Sequence, residues 1–479
     1  HITGGSLHWY CQGNGQYVFE VILYRHCDGI TTPSTLNVTA HNHPSVSSIP
    51  LTKVASYDVS PDCTAGPGQI AFSCGSMGGG QGNGIGAIEK AVYQSAPVSL
   101  PGVPPATGWI FTHTQCCRNS SIDNLIGAAS SGSTLVAMMF PNSGSVAGQC
   151  TDNSPVYLGD DNVLFCENES VVISTLPTDT DADSLYTSWS HPYDFFGQGG
   201  WNPPANPGNV TYASGYGMSA SLPVIPGSNT GAVLNHATGQ ISYSSVTAGE
   251  FVMCVETESW RNGELMAKVR KDWTASILSC GAGNNPPITT FSLVSQPLQI
   301  DTAGMNHYRL WIEPNAPFQF DYLASDSDIN PGTATPQVVA LEARGALLGT
   351  NWMDSSSCAN PPCATIVPAG GQSGYANVMN NQVSFRWNPG VHHLSNPFTN
   401  DPIESPYSFE LLMVDDYCSV PARDQLLMEI FVVIVPPMAP LMVNIQLDAN
   451  LDAMIQWSAP SDTGSGLNGM FVYHNTDAN

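Results

Sequence analysis

Three carboxylates alternate in Asp179-x-Asp181-x-Asp183, a spacing suited to gripping a divalent cation. Calcium takes six to eight oxygen ligands, and a short loop that aims several carboxylates inward can supply them. The loop is not an EF-hand. Position six is Ser184 where the sharp turn needs Gly, and position twelve is Ser190 where a bidentate Glu belongs. An inter-domain site of the cadherin type suits it better, with Glu256 and Glu258 as further ligands. Those two sit at i and i+2 of a strand pattern and so share a face. Asp326-x-Asp328, joined by Asp415 and Asp416, is the candidate second copy. A solvated acidic turn explains the same residues without a metal. Bound Ca2+ would stiffen the chain here and would not catalyse.

Hydrolytic chemistry finds little footing. There is no Gly-x-Ser-x-Gly elbow and no His-Glu-x-x-His helix; Gly371-Gln372-Ser373-Gly374 approaches the first but runs into Tyr375. His41, His43, His392 and His393 lack a spaced acidic or Cys partner, so they read as surface histidines. Glu256 and Glu258 suit a solvated or ion-binding face better than glycosidase chemistry. No catalytic residue is assigned, and the chain is expected not to be an enzyme.

The elements that must position these groups are strands. In 479 residues, Gly (45) and Pro (37) together make about 17 %, above the usual share, while 42 % of residues are apolar. That combination implies many turns between short strands. Residues 6–12 and 16–27 read as a hairpin: Leu7, Trp9 and Cys11 alternate onto one face, and Tyr17, Phe19, Val21 and Leu23 onto one face of the next strand. Gly13-Asn14-Gly15 supplies the turn. Helical periodicity of useful length is missing. No run of about 18 apolar residues occurs, so direct membrane insertion is not expected. Twelve Lys and Arg stand against 38 Asp and Glu, a net charge of −26, which repels nucleic acid.

Thirteen cysteines without a Cys-x-x-Cys pair point to disulfides in an oxidising compartment. Cys116 and Cys117 end the strand pattern Trp109–Thr114, where neighbours face opposite ways, so each is expected to seek a separate partner, Cys11 and Cys27. Cys63–Cys74 would clip the Gly-rich stretch 75–86. Cys166–Cys280 would tie the ends of a domain, and Cys358–Cys363 would close a local loop. Cys150, Cys254 and Cys418 stay unassigned, and the odd count leaves at least one thiol over.

Residues 151–287 and 288–436 follow one plan. A strand leads to an acidic step, then a turn and strand (Thr238–Tyr243; Asn380–Phe385), then Gly249–Val255 or Tyr407–Val414, then a long final strand. Short strands at this spacing mark β-sandwiches of the immunoglobulin or cadherin type. The expected organisation is a disulfide-stapled β domain at 1–150, sandwiches at 151–287 and 288–436, and an incomplete fibronectin III-like start at 437–479. The fold class expected is all-β, tandem β-sandwich. In the excursion 191–217, Tyr193, Phe195, Phe196 and Trp201 form the candidate contact surface; packing over its own sandwich edge is the competing explanation.

The opening His1-Ile2-Thr3-Gly4-Gly5, with Tyr24-Arg25-His26-Cys27-Asp28-Gly29, Cys116-Cys117-Arg118-Asn119 and Ile122-Asp123-Asn124-Leu125, resembles a family of very large Bacteroidota cell-surface proteins. Members are exported by the type IX secretion system and include adhesins, gliding-motility filaments and other contact appendages. Ser120-Ser121 stands where Ala-Ala is usual, and Ser6 where an acidic residue is common. The resemblance implies a secreted, extracellular chain whose signal peptide has been removed before His1 and which continues beyond Asn479. It implies a structural and adhesive role in a surface appendage, with homo-oligomers or filaments contacting other cell-surface proteins or glycans. A secreted carbohydrate-binding module, or the non-catalytic region of a secreted hydrolase, is the alternative.

Overall fold

Strands account for nearly all regular structure; among the described residues, helix is confined to three short 3-10 turns. The computed structural model describes residues 2–434 apart from 13–14, 77–78, 146, 151, 197–199, 204, 225–229, 245–246, 281–283, 305, 332 and 396–405, together with strands 442–447 and 453–457. Residues 1–432 form one compact unit, and the later strands belong to a second. The chain is all-β, built of tandem β-sandwich modules.

The first module comprises β1 (Ile2–Cys11), β2 (Gln16–His26), β3 (Thr35–His41), β4 (Ser48–Asp58), β5 (Ile88–Ser95), β6 (Val98–Ser99), β7 (Trp109–Gln115) and β8 (Ser133–Met139). The main strands run antiparallel in the order β1-β2-β5-β4-β3-β7-β8. The alternation puts Leu7, Trp9, Phe19, Val21 and Phe111 into the core with almost no exposure. Burying each such aromatic removes about 150–250 Å² from water, so these rings dominate the module's stability.

The second module adds β9 (Val156–Tyr157), β10 (Val163–Cys166), β11 (Ser170–Ser174), β12 (Pro177–Thr178), β13 (Ser184–Trp189), β14 (Thr230–Leu234), β15 (Gln240–Ser244), β16 (Gly249–Arg261) and β17 (Glu264–Leu278). Sheet β11-β15-β14 shares one core with β10-β17-β16-β13. β17 is the pivot. β16 occupies one of its edges from Arg261↔Glu264 to Gly249↔Ile277. Its other edge takes β8 at Ala267–Val269, β1 at Lys271–Trp273, and β10, in parallel, at Ala275–Leu278. The strand path that starts at β1 therefore returns to it through β17, and a single 12-stranded sheet draws its strands from both modules. The boundary expected at 150 is corrected on this point: it separates two stretches of sequence but cuts through a single sheet.

The third module contains β18 (Ile288–Leu293), β19 (Gln299–Gly304), β20 (His307–Ile312), β21 (Phe318–Ser325), β22 (Ile329–Asn330), β23 (Thr335–Pro336), β24 (Val338–Arg344), β25 (Thr365–Pro368), β26 (Ala376–Val378), β27 (Asn380–Trp387), β28 (Tyr407–Val414) and β29 (Arg423–Val432). Sheets β18-β21-β27-β25 and β19-β20-β29-β28-β24-β26 enclose Phe320, Phe385, Phe409 and Met428. Here β20 runs parallel to β29, as β10 does to β17, so each repeat sets one of its early strands parallel to its own last strand. In the second unit β30 (Met442–Leu447) pairs antiparallel with β31 (Ala453–Trp457). The rest of the expected fibronectin III-like start at 437–479 lies outside the described residues.

Six disulfides form: Cys11–Cys150, Cys27–Cys74, Cys63–Cys418, Cys116–Cys117, Cys166–Cys280 and Cys358–Cys363. The last two are pairings read from the sequence. The rest correct it. Cys116 and Cys117 bond each other and not Cys11 and Cys27, because β7 ends at Gln115 and its alternation no longer governs them. Cys74 clips the Gly-rich stretch to Cys27, and Cys63 reaches the third module. Cys254 is the free thiol, and it is buried.

Candidate functional sites: a motif socket, two acidic clusters and an aromatic patch

The short motifs converge on the hairpin β16–β17. At Gly4, where β1 crosses β17, φ is +149° and a Cβ would lie 2.0 Å from the Asp272 carbonyl oxygen. Only glycine permits that approach. Arg118, 1 % exposed, donates Nη1 to Asp272 Oδ1 at 3.0 Å, Nη2 to Asp272 Oδ2, and Nε to the Gly132 carbonyl at 2.8 Å. Asn119 donates to Glu250 Oε2 at 3.2 Å, as does the Ser121 hydroxyl, and His26 Nε2 lies 3.1 Å from Glu250 Oε1. Asn124 pairs with Val252 as a strand would, donating to its carbonyl at 2.8 Å and accepting its N–H at 2.9 Å. Arg25 binds Glu89 and the carbonyls of His26, Cys27 and Gly29. These residues are the socket that fixes the second module's hairpin to the first module.

The first acidic cluster gathers around a guanidinium. Arg261 lies across the β13–β16 pair from the Asp loop, near the Ser184↔Trp260 register. It reaches Asp183 at 2.6 Å, Asp152 at 2.9 Å and Asp181 at 3.2 Å. Asn153 holds Asp181 through its backbone and side-chain amides, at 2.7 and 2.8 Å. Burial and the neighbouring Asp179 and Asp183 push the Asp152 carboxyl well above the usual carboxylate range. Asp179 is raised the same way by burial, Asp183 and Asp181. Glu256 and Glu258 do not join them. They pair across the hairpin with Arg270 at 2.7 Å and with Lys268, so their expected place as ligands beside Asp179, Asp181 and Asp183 is corrected. Among the described residues no group of three His, Cys, Asp or Glu side chains is arranged to hold a metal.

The second cluster lies where the linker enters the third module. Asp328 Oδ2 accepts the backbone and side-chain amides of Asn285 at 2.9 and 3.0 Å. Asp415 Oδ1 accepts the N–H groups of Tyr417 and Ala422, both at 3.0 Å. Asp416 accepts Val338 N–H at 2.8 Å.

The aromatic excursion packs both on its own sandwich, through Arg270 of β17, and on the first module, through His41, Gly132 and Thr134. Tyr193 carries the Arg270 guanidinium 4.1 Å above its ring and meets Trp201 edge-on at 5.9 Å. His41 of β3 packs against Phe196 and Trp201. Asp194 binds Gly132 N–H at 2.6 Å, and its carbonyl accepts Thr134 Oγ1. Phe195 alone of the four is strongly exposed, at 48 %. The histidines are not a surface set: His41 and His393 are buried, bonded to Thr112 Oγ1 at 3.0 Å and the Asn360 carbonyl at 2.8 Å. Ser373 sits in an exposed turn whose Gln372 holds Asn381.

The modules are clamped as well as fused. Asp160, on the second module, accepts Arg344 at 2.8 Å and Arg423 at 2.7 and 2.9 Å from the third. Burial opposes its charge, yet Arg423 and Arg344 hold its carboxyl well below the usual range. Beside it, Cys63–Cys418 and the bond from Thr64 N–H to the Asp416 carbonyl, 2.8 Å, join the first module to the third.

No protein family matches the chain by sequence. No curated protein matches it either. Among solved structures, a chimeric titin Z1Z2 functionalised with a KLER peptide from decorin aligns at 10 % identity over 59 % of this chain and 97 % of its own, TM-score 0.14. The I-band fragment I67–I69 from titin aligns at 6 % identity over 90 % and 99 %, TM-score 0.14. Endo-fucoidan hydrolase MfFcnA4, of glycoside hydrolase family 107, aligns at 10 % identity over 85 % of this chain and 43 % of its own, TM-score 0.14. Likenesses this low carry no argument about function.

Proposed function

We propose that this chain is a structural and adhesive element of an extracellular surface appendage or filament, one that self-associates and meets other cells or surfaces. The interlocking of its modules supports this reading. One strand, β17, is paired along both edges by strands of two modules. A disulfide and a two-arginine clamp then join the third. Bending the body at either joint would break backbone pairing, an ion cluster or a covalent bond, whereas modules on free linkers swivel by default. The six disulfides fit an oxidising, extracellular setting. The chemistry-bearing residues singled out above serve the same end: Arg25, His26, Arg118 and Asn119 all hold strands or loops in place.

Phe195 and its neighbours present the contact surface. Sedimentation velocity of the purified chain over a wide concentration range tests the reading. Concentration-dependent self-association, weakened by Phe195→Ser, is expected. A monodisperse monomer throughout, coupled with tight binding of the full chain to a glycan array, would replace it with the carbohydrate-binding alternative.

A further inference from the structure

The two acidic clusters look alike in sequence but differ in how their charge is answered. The first encloses Arg261. Among the described residues no Lys, Arg or His pairs with Asp326, Asp328, Asp415 or Asp416; their partners are amides.

The hydrogen bonds fix which way each amide points. Asn284 donates its Nδ2 to Asp415 Oδ2, at 2.8 Å. Asn284 therefore presents Oδ1 to Gln337 Nε2, at 2.7 Å, and Gln337 Oε1 is left without a donor. Asp416 Oδ1 takes Asn330 Nδ2 at 3.0 Å, which leaves Asn330 Oδ1 without one. Asp328 N–H caps Asp326 Oδ1 at 2.8 Å, and Asp326 Oδ2 has no donor. Gln337 and Asn330 are 0 % exposed and Asp326 is 7 % exposed. An acceptor buried without a partner is costly, and three around one acidic cluster are a strong demand for a positive charge.

We propose that Asp326, Asn330 and Gln337, backed by Asp328, Asp415 and Asp416, hold a Ca2+ ion. Carboxylate and amide oxygens, with water completing the shell, are the ligands Ca2+ takes; Mg2+ demands a tighter octahedron and sheds its water reluctantly. The ion also fits its surroundings. Asn284 and Asn285 belong to the linker from the second module, Asp416 is bonded by Thr64 of the first, and the other residues belong to the third. A cation there adds a tie at the point where all three modules meet. The proposal rests on the mechanical reading above and extends it to an ion-hardened joint.

Calorimetric titration of the EDTA-stripped, disulfide-intact full chain with CaCl2 tests it. One saturable site is expected, with Mg2+ failing to compete at equal concentration. Asp326→Asn, which turns an amide N–H toward the ion, should weaken binding tenfold or more. Gln337→Met, which removes the free oxygen and keeps the length, should do the same and serves if the first variant does not fold. Asp179→Asn should leave binding within twofold. Absence of Ca2+ binding in the parent chain overturns the proposal and means that buried water answers these oxygens. Loss of binding in Asp179→Asn with retention in Asp326→Asn also overturns it and moves the ion to the Arg261 cluster. Self-association measured in EDTA is independent of the ion, so failure of this proposal and failure of the functional reading are told apart.

Discussion

The Arg118 guanidinium grips the Asp272 carboxylate with two parallel bonds, and neither side chain is more than 3 % exposed. One residue lies in the loop after β7 and the other on β17, so the pair joins two modules inside their shared core. Removing one member of a buried pair strands the other, at a cost of roughly 3–5 kcal/mol. Arg118→Met should lower the unfolding free energy by about that much in guanidinium chloride under non-reducing conditions. Asp272→Leu added to Arg118→Met should recover part of the loss. A single-variant loss under about 1 kcal/mol would show that the two groups are not desolvated together.

Asp160→Asn should loosen the joint between second and third modules. Arg344 and Arg423 then face each other with only Glu410 and Glu342 to answer them. Both arginine side chains are partly exposed, at 18 % and 29 %, so the cost should fall below that of a fully buried pair, about 2 kcal/mol. Limited proteolysis should show faster cleavage near the 279–287 linker, while the Cys63–Cys418 bond survives.

Lys271 provides a pH test. Its ammonium, 3 % exposed, donates to the Asp160 carbonyl at 2.9 Å. Burial pulls its pKa down from 10.5 to about 8, although Asp161 and Asp160 pull it upward. The folded state therefore gives up this proton more readily than the unfolded chain, whose Lys titrates near 10.5. Between about 8 and 10.5 the unfolded state binds more protons, and this group's contribution to stability rises with pH. Stability of the parent minus that of Lys271→Met, from melts at pH 7 to 10, should climb across that window. A flat difference would mean that the Lys271 ammonium is solvated.

Cys254 is buried, and desolvation pushes its thiol well above the usual range. A thiol reagent should label none in the native protein and one in the unfolded, unreduced protein. Labelling of two or more after unfolding would mean that one of the six disulfides does not form.

Much of this was legible from side-chain period. The alternation of Leu7, Trp9 and Cys11, and of Tyr17 to Leu23, located β1 and β2, and the matching acidic steps located the repeat. What escaped were relations across long separations. Arg261 lies 78 residues from Asp183, and nothing near either announces the other. Cys63 and Cys418 are 355 residues apart. The fusion of the first two modules did leave a trace: a strand of 15 residues spans about 50 Å, between two and three times the usual strand of about 17–20 Å. That length lets it take β8 at Ala267–Val269 and β1 at Lys271–Trp273 in turn. The glycines of the opening motif were read as a resemblance, and their reason became visible only once β1 was seen pressed between β2 and β17.

The Cys63–Cys418 bond sets an order of events. Sulfur 63 belongs to the earliest part of the chain, yet its mate arrives after nearly everything else in the body. Any polypeptide halted before residue 418 carries an unmatched thiol close to Cys27 and Cys74 in sequence, free to attack their bond by exchange. An unfinished chain therefore carries a reactive sulfur at residue 63 that the finished one has capped.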